Sequence, residues 1–320
     1  VQRSNSMHLD TTVTKNTSVF GSRSSRSATE KAAAVIFAIC AAVSVVAVVS
    51  ITGYMIYSGA PALFKVGPAE ILFHTVWEPT AGKFGIAYII LTSIVGTAFA
   101  VLIGVPIGIL TAVALSELCT PRLKRILKAA IELLAGIPSV IYGLLGILII
   151  NPAMYSLEKL IFAHDSSHQF TGGSNLIAAI LVLVIMILPT LINVSSTAID
   201  AVPQHLRMSS RALGATQIQT IFKVVIPAAK NGILSAIVLG VGRAIGEAMA
   251  ILLVAGNSVN LPLPFNSVRF LTTAIVSEMS YSSGLHRQVL FTIGLVLFIF
   301  IMIINIVLQR IMKKGAEDGK

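Results

Sequence analysis

The chain has 320 residues, of which 55% are hydrophobic and 11% charged, with a net charge of +10 and a mean hydropathy of +0.89. A soluble domain of this size needs far more charge to cover its surface, so the composition points to an integral membrane protein and excludes a nucleic-acid-binding domain with a folded basic face. Cys40 and Cys119 stand alone without metal-ligand spacing, and no stretch reads GxxxxGK[ST], so neither a metal centre nor an ATP-binding loop is expected.

Residues 1–30 are polar and rich in Ser and Thr, which predicts a disordered tail. The apolar run behind them is too long for a signal peptide and lacks a small-residue cleavage site, so it is expected to persist as a membrane helix. Six apolar stretches, at about 32–57, 86–116, 129–151, 175–197, 231–255 and 289–309, each approach the ~20 residues that a ~30 Å hydrocarbon core requires. None shows the alternation of a membrane barrel, so the expected fold is an all-α, six-transmembrane helical bundle. Its organisation reads as a tail over 1–30, a first membrane helix over 31–58, a core of five more helices over 59–312, and a second tail over 313–320. Lys and Arg crowd into the tails, 122–128 and 207–230, and are sparse in the intervening loops, which predicts both termini in the cytoplasm.

Several features stand out along the chain. Trp77, in an outer loop over 58–85 with Pro61 and Pro68, reads as an interfacial anchor. Small residues recur every fourth position in the second span: Thr92, Gly96, Ala100, Gly104, Gly108, Ala112 and Ser116. Such a stripe lets helices approach closely, and its slow winding predicts that this span is central and crosses at least two others. Pro106, Pro138 and Pro189 fall inside spans two, three and four. With Asn193, Ser195 and Ser196 they suggest a partly hydrated path. His164, Asp165 and His168 sit in the loop over 152–174 with no further ligand near, so no metal is assigned to them. The loop over 256–288 carries an apolar segment too short to span, expected to lie along or dip into the outer surface.

The stretch 204–257 joins a basic, polar connection directly to the fifth span. Pro203 can open a short helix, Gly214 suits its C-terminal cap, and Thr216 with Gln219 has capping-box spacing for a second helix expected to end before Pro227. Arg243 and Glu247, four residues apart, are expected on one face of the fifth span, flanked by Gly242 and Gly246 in GxxxG spacing. Each charge costs roughly 2.5–3.5 kcal/mol at the centre of a lone membrane helix, so such residues face a cavity or each other. A structural ion pair is one reading. The other is an anion path in which Glu247 holds the Arg243 fork until an oxyanion arrives.

Gly214 followed after nine residues by Val224-Val225-Ile226-Pro227 resembles the EAA signature of bacterial ABC importer permeases, with Met208-Ser209-Ser210 where the family has Glu-Ala-Ala. Together with ALGAT (212–216), GRAIGEAMA (242–250) and AGIPSVIYG (135–143), nearly everything after the first span is similar to the phosphate-specific permeases, the PstC type more than its sister PstA. The resemblance implies the type I importer (MetI-like) fold in the bacterial inner membrane. It implies a translocation path for inorganic phosphate at Arg243, Glu247, Gly242, Gly246, Pro138 and Ser139. It also implies a loop docking on an ATPase through Arg211, Ala212, Leu213, Gly214, Ala215, Thr216 and Pro227. The implied partners are a PstA-type sister permease, PstB-type ATPase subunits and a periplasmic PstS-type binding protein, with ATP and Mg on the ATPase and no cofactor on this chain. A permease for molybdate or sulfate, and outside the class a passive anion channel, remain as alternatives.

Overall fold

The computed structural model describes residues 28–164 and 168–317, with side chains over 30–164 and 168–310. Most of the expected tail over 1–30, the end of the second tail, and Asp165 lie outside the described residues. Among the described residues six helices are long and apolar enough to cross a membrane, and the chain is a mostly helical, multi-pass bundle. It divides into two units, Val1–Thr52 and Gly53–Lys320.

In the first unit, the helix over residues 30–52 carries its apolar side chains fully outward, Phe37 at 72% exposure. The helix, α1 (Ala28–Val66), runs well past the expected end of the first span and takes Pro61 inside it. Packing explains the extension. Ala62 is buried among Val289, Leu290 and Ile293, and Gly59 lies so close to the backbone of Thr292 that a Cβ would sit 3.0 Å from its nitrogen. Gly67 ends the helix at φ 96°, and Pro68 opens the short α2 (Pro68–Phe73). A two-residue antiparallel pair, β1 (Trp77–Glu78) and β2 (Lys83–Phe84), leads into α3 (Ala87–Val113), which closes in a π turn over Ala114–Leu118.

The third span is broken. Apolar composition alone favours Ser139–Ile161, but position differs from composition. α4 (Pro121–Ala135) ends at Gly136, and Pro138 caps α5 (Ser139–Leu145), which continues through a π turn into α6 (Asn151–Ile161). Lys124 Nζ meets Asp200 Oδ1 at 2.7 Å, at the end of α7 (Leu176–Asp200), while Asn151 Nδ2 donates to Ser174 Oγ at 2.9 Å, just before its start. The stretch 124–151 therefore runs alongside α7, with its break level with the middle of that helix. Pro138 is not a kink within a continuous helix. Proline disfavours the helical conformation of Ile137 and lacks the amide that would bond back across the turn, so the helix stops and restarts.

After α7 come α8 (Gln204–Ala212), α9 (Gln217–Thr220), α10 (Ile226–Gly246), α11 (Met249–Val254), α12 (Leu271–Glu278) and α13 (Gly284–Glu317). The expected stop before Pro227 does not occur. A π turn over Ile221–Val225 shifts the hydrogen-bond register, leaving Pro227 at the first turn of α10, where no amide is needed, so that Gln217–Gly246 is one helix of 30 residues. The fifth span instead ends early. Glu247 is extended at ψ 130°, and α11 starts afresh behind it.

Three apolar clusters hold the second unit together. Leu183, Ile187, Leu191, Ala244 and Ile251 lie in the middle; Ile71, Ile89, Leu271 and Ile293 toward the α12 end; and Leu115, Ile192, Ile199, Ile221 and Val225 toward the α8 end. The most enclosed span is α7, not α3 as the small-residue stripe had suggested. The stripe supplies the groove and α7 the bulk that fills it. Gly96 lies under the Phe270 ring, Gly104 under Ile187 and Gly108 under Leu191, with Ala100 fully buried between them. A Cβ at Gly108 would lie 2.8 Å from Leu191 Cβ, near a backbone that cannot swing away. Gly108→Val is therefore expected to lower stability by roughly 1–3 kcal/mol. Gly53→Ala, with nothing within 4 Å, is expected to be neutral or stabilising. Melting curves of the purified protein in detergent distinguish the two.

Candidate functional site

At the end of the bundle where α7 finishes, α8 and α9 form a compact projecting knob. Pro203 precedes α8, and Gly214 takes φ +85°, the left-handed conformation that glycine adopts without Cβ strain. The capping box is complete. Gln219 N donates to Thr216 Oγ1 at 3.2 Å, and Thr216 N to Gln219 Oε1 at 2.9 Å. The two helices are joined by Ser210 and Thr220, whose hydroxyls lie 3.0 Å apart, so the third residue of the Met-Ser-Ser departure takes up an internal contact. Arg211, Ala212, Leu213, Gly214 and Thr216 are exposed and Ala215 half-buried. Leu213 at 89% and Ile218 at 67% exposure leave an apolar tip on a polar knob, shaped for a partner and not for water. Pro227, although exposed, lies beyond the knob, in the first turn of α10.

Near mid-depth the structure separates two residues that sequence spacing put together. Because the helix breaks after Gly246, Arg243 and Glu247 do not share a helical face, and no ion pair forms between them. Glu247 Oε1 accepts from Ala250 N at 2.8 Å, capping α11, while its carbonyl accepts from Thr272 Oγ1 at 2.6 Å. Arg243 Nη1 donates to Thr190 Oγ1 at 3.3 Å, and among the described residues no carboxylate pairs with it. The expected Glu247 clamp is therefore replaced by a neutral hydroxyl. Thr190 was missed because its only sequence signal is its place after Pro189 in an apolar run.

Gly242 and Gly246 are exposed, and a Cβ on either would meet nothing within 4 Å in this chain, so their GxxxG face is not a contact between helices of this protein. Pro138 and Ser139, at the other break, are brought toward the same region. α5 packs on α11, where a Cβ at Gly143 would lie 3.0 Å from Ala250 Cα. Tyr142 on that helix belongs to the same buried cluster as Ala244, the residue after Arg243. Two interrupted helices thus meet beside one unneutralised guanidinium.

The opposite end holds two polar clusters around buried carboxylates. Glu278, at 6% exposure, accepts from both Arg269 and Trp77, the indole at 3.2 Å, and pairs with His286 at 2.7 Å. Trp77 therefore donates a hydrogen bond within the fold. Glu158, fully buried, accepts from Thr171 N at 3.0 Å and pairs with His168 at 2.9 Å, whose ring stacks on Phe162. His168 is thus engaged in closing its own loop. The segment over 271–278, expected to lie along or dip into the outer surface, forms the short α12 with Leu271, Thr272, Thr273, Ala274 and Glu278 buried, and Leu271 N donates to Ser93 Oγ on α3.

Comparison with known proteins gives the geometry a family. Residues 104–316 match the model of the "Binding-protein-dependent transport system inner membrane component". A "Probable ABC transporter permease protein YqgH" of Bacillus subtilis (strain 168) is 36% identical, over 91% of this chain and 95% of its own length. Proteins named "Phosphate transport system permease protein PstC" from Pasteurella multocida and Mesorhizobium japonicum are 35% and 32% identical, covering 77% and 93% of this chain and 81% and 96% of theirs. Among solved structures, one titled "Inward facing conformations of the MetNI methionine ABC transporter" superposes with a TM-score of 0.51 at 22% identity, over 75% of this chain and 99% of that one, which shows a common fold. The chain belongs to the binding-protein-dependent transport system inner membrane components, the permease subunits of ABC transporters.

Proposed function

We propose that this permease subunit conducts inorganic phosphate inward across the bacterial cytoplasmic membrane, with both termini in the cytoplasm. The observation that carries the reading is Arg243, a permanently charged fork at mid-depth whose partner is a hydroxyl. A guanidinium costs roughly 2.5–3.5 kcal/mol at the centre of a lone membrane helix, and a carboxylate partner would offset much of that. Leaving it unneutralised makes sense where an anion arrives. The guanidinium binds phosphate oxygens two at a time, in charge-assisted bonds about twice as strong as neutral ones, so an incoming phosphate displaces Thr190 readily. The close similarity to PstC-named proteins favours phosphate over molybdate or sulfate. A passive anion channel has no use for a projecting knob with an apolar tip.

In this reading the knob docks on a PstB-type ATPase, which alone binds ATP and Mg, and this chain binds no cofactor. A PstA-type sister subunit covers the exposed Gly242 and Gly246 face, completing a path lined also by Pro138 and Ser139. A PstS-type binding protein delivers phosphate from outside. The helix Gln217–Gly246 is about 45 Å long at ~1.5 Å per residue, so the knob and Arg243 ride on one continuous helix. Glu247, holding α11 by its cap, marks the joint on the far side.

In vesicles carrying the complete transporter, Arg243→Ala is expected to reduce phosphate uptake by at least about tenfold, as loss of a charge-assisted bidentate contact would. Arg243→Lys, keeping charge without the fork, should fall between. Thr190→Asp should also block uptake, because a resident carboxylate competes for the fork; normal uptake in all three contradicts the reading. Leu213→Asp and Gly214→Val, one charging the tip and the other straining a left-handed backbone, are expected to abolish substrate-stimulated ATP hydrolysis while leaving Arg243 untouched. Unchanged stimulation in both places the docking surface elsewhere.

A further inference from the structure

Behind the knob, four segments of the chain converge on a pair of residues, Arg207 and Glu117. Arg207, in the first turn of α8, donates to Glu117 Oε1 from Nε at 3.0 Å and from Nη2 at 2.8 Å. It also donates to Ile199 O from Nη2 at 2.8 Å and to Val202 O from Nη1, carbonyls at and just beyond the end of α7. Glu117 lies in the π turn that finishes α3, and its own carbonyl accepts from Gln217 Nε2 on α9 at 3.0 Å. The side chains of Arg207 and Glu117 are only 14% and 8% exposed.

We propose that the Arg207 and Glu117 pair is the strut through which the knob drives α3 and α7, and that it sets how much phosphate is carried per ATP hydrolysed. The proposal rests on the permease function argued above. Covalently, α8 is tied to the bundle through two turns, one after α7 and one before α9, and a load at Leu213 or Ile218 could rotate it about either. The guanidinium removes that freedom. Its planar fork holds the carboxylate of α3 and, at the same time, the Ile199 and Val202 carbonyls at and just beyond the end of α7, where a cation also suits the helix dipole. Gln217 fastens the second helix of the knob to the same residue. Lys124 and Asp200 bridge α4 and α7 nearby, but at 28% and 34% side-chain exposure that pair is more open to solvent screening. Glu117 is too enclosed to meet a docked ATPase, so it acts through Arg207 and is a positioning residue. The knob thus moves three helices: α10 by continuity, α3 and α7 by this link.

The test uses the complete transporter in vesicles, with phosphate import and ATP hydrolysis measured on the same preparation. For Glu117→Ala and Arg207→Ala, phosphate carried per ATP is expected to fall about threefold or more, with hydrolysis persisting, and the double variant should be no worse than the poorer single. Glu117→Gln keeps an oxygen acceptor and should recover most of the ratio. Arg207→Lys keeps the charge but cannot make the four contacts and should not. If an alanine variant fails to assemble, the last two carry the test alone, and equal ratios in both would overturn the strut. A wild-type ratio in the alanine variants, or losses that multiply in the double variant, would also overturn it. A wild-type complex that imports no phosphate refutes the permease reading instead.

Discussion

One helix, passing through a π turn, runs from the apolar knob to a charged side chain within the bundle. The helix Gln217–Gly246 carries both, and everything else in the second unit can be placed by reference to it. A helix resists bending because each turn is bonded to the next, and it yields where a bond is missing. Pro227 lacks an amide, and the π turn before it shifts the register so that the helix carries on past it. The weak point lies after Gly246. There Glu247 turns extended, its carbonyl is taken by Thr272, and its carboxylate serves the next helix. Arg243 therefore lies on the near side of the break, one turn from the end of the helix that begins at Gln217.

The second broken helix belongs to the same arrangement. Irregular backbone at membrane depth is tolerated where protein or a water-lined cavity satisfies it, and not against lipid. The interruptions at 136–138 and 247–248 are joined by the packing of α5 on α11, and the exposed residues beside them, Pro138, Gly242 and Gly246, have no neighbour in this chain that would seal them. In the proposed transporter that face is the wall of the path, completed by the sister subunit. The other end is fixed by different means: Glu278 and Glu158, each enclosed and each holding several donors, lock the segments before and after α12 and the loop behind α6. The molecule thus has one end clamped by polar side chains and, in the proposed transporter, an end that receives force.

Much of this was legible in the sequence because it depends on local chemistry. Gly214, Thr216 and Gln219 specify a helix stop and start within six residues, and the structure realises both. The four-residue stripe in the second span correctly marks where another helix approaches, although it cannot say which of the two is enclosed, since that depends on the large side chains of α7. Spacing failed where backbone hydrogen bonding overrode periodicity. Arg243 and Glu247 are four apart and would face each other on a continuous helix; a single extended residue sends them to different tasks. Contacts set by tertiary approach left no local trace. Arg207 and Glu117 are 90 residues apart, Trp77 and Glu278 201 apart, and only folding brings either pair within reach.

The stiffness of the helix from knob to guanidinium can be measured directly. Spin labels at Ile218 and Leu239, both exposed and both on that helix, should keep one distance, about 31 Å by helical rise, in the nucleotide-free and ATP-trapped states of the complete transporter. Labels at Leu239 and Leu261, on opposite sides of the break at Glu247, should change distance between the same states. A shift within the first pair, or no shift in the second, would contradict a rigid lever that ends beside Arg243.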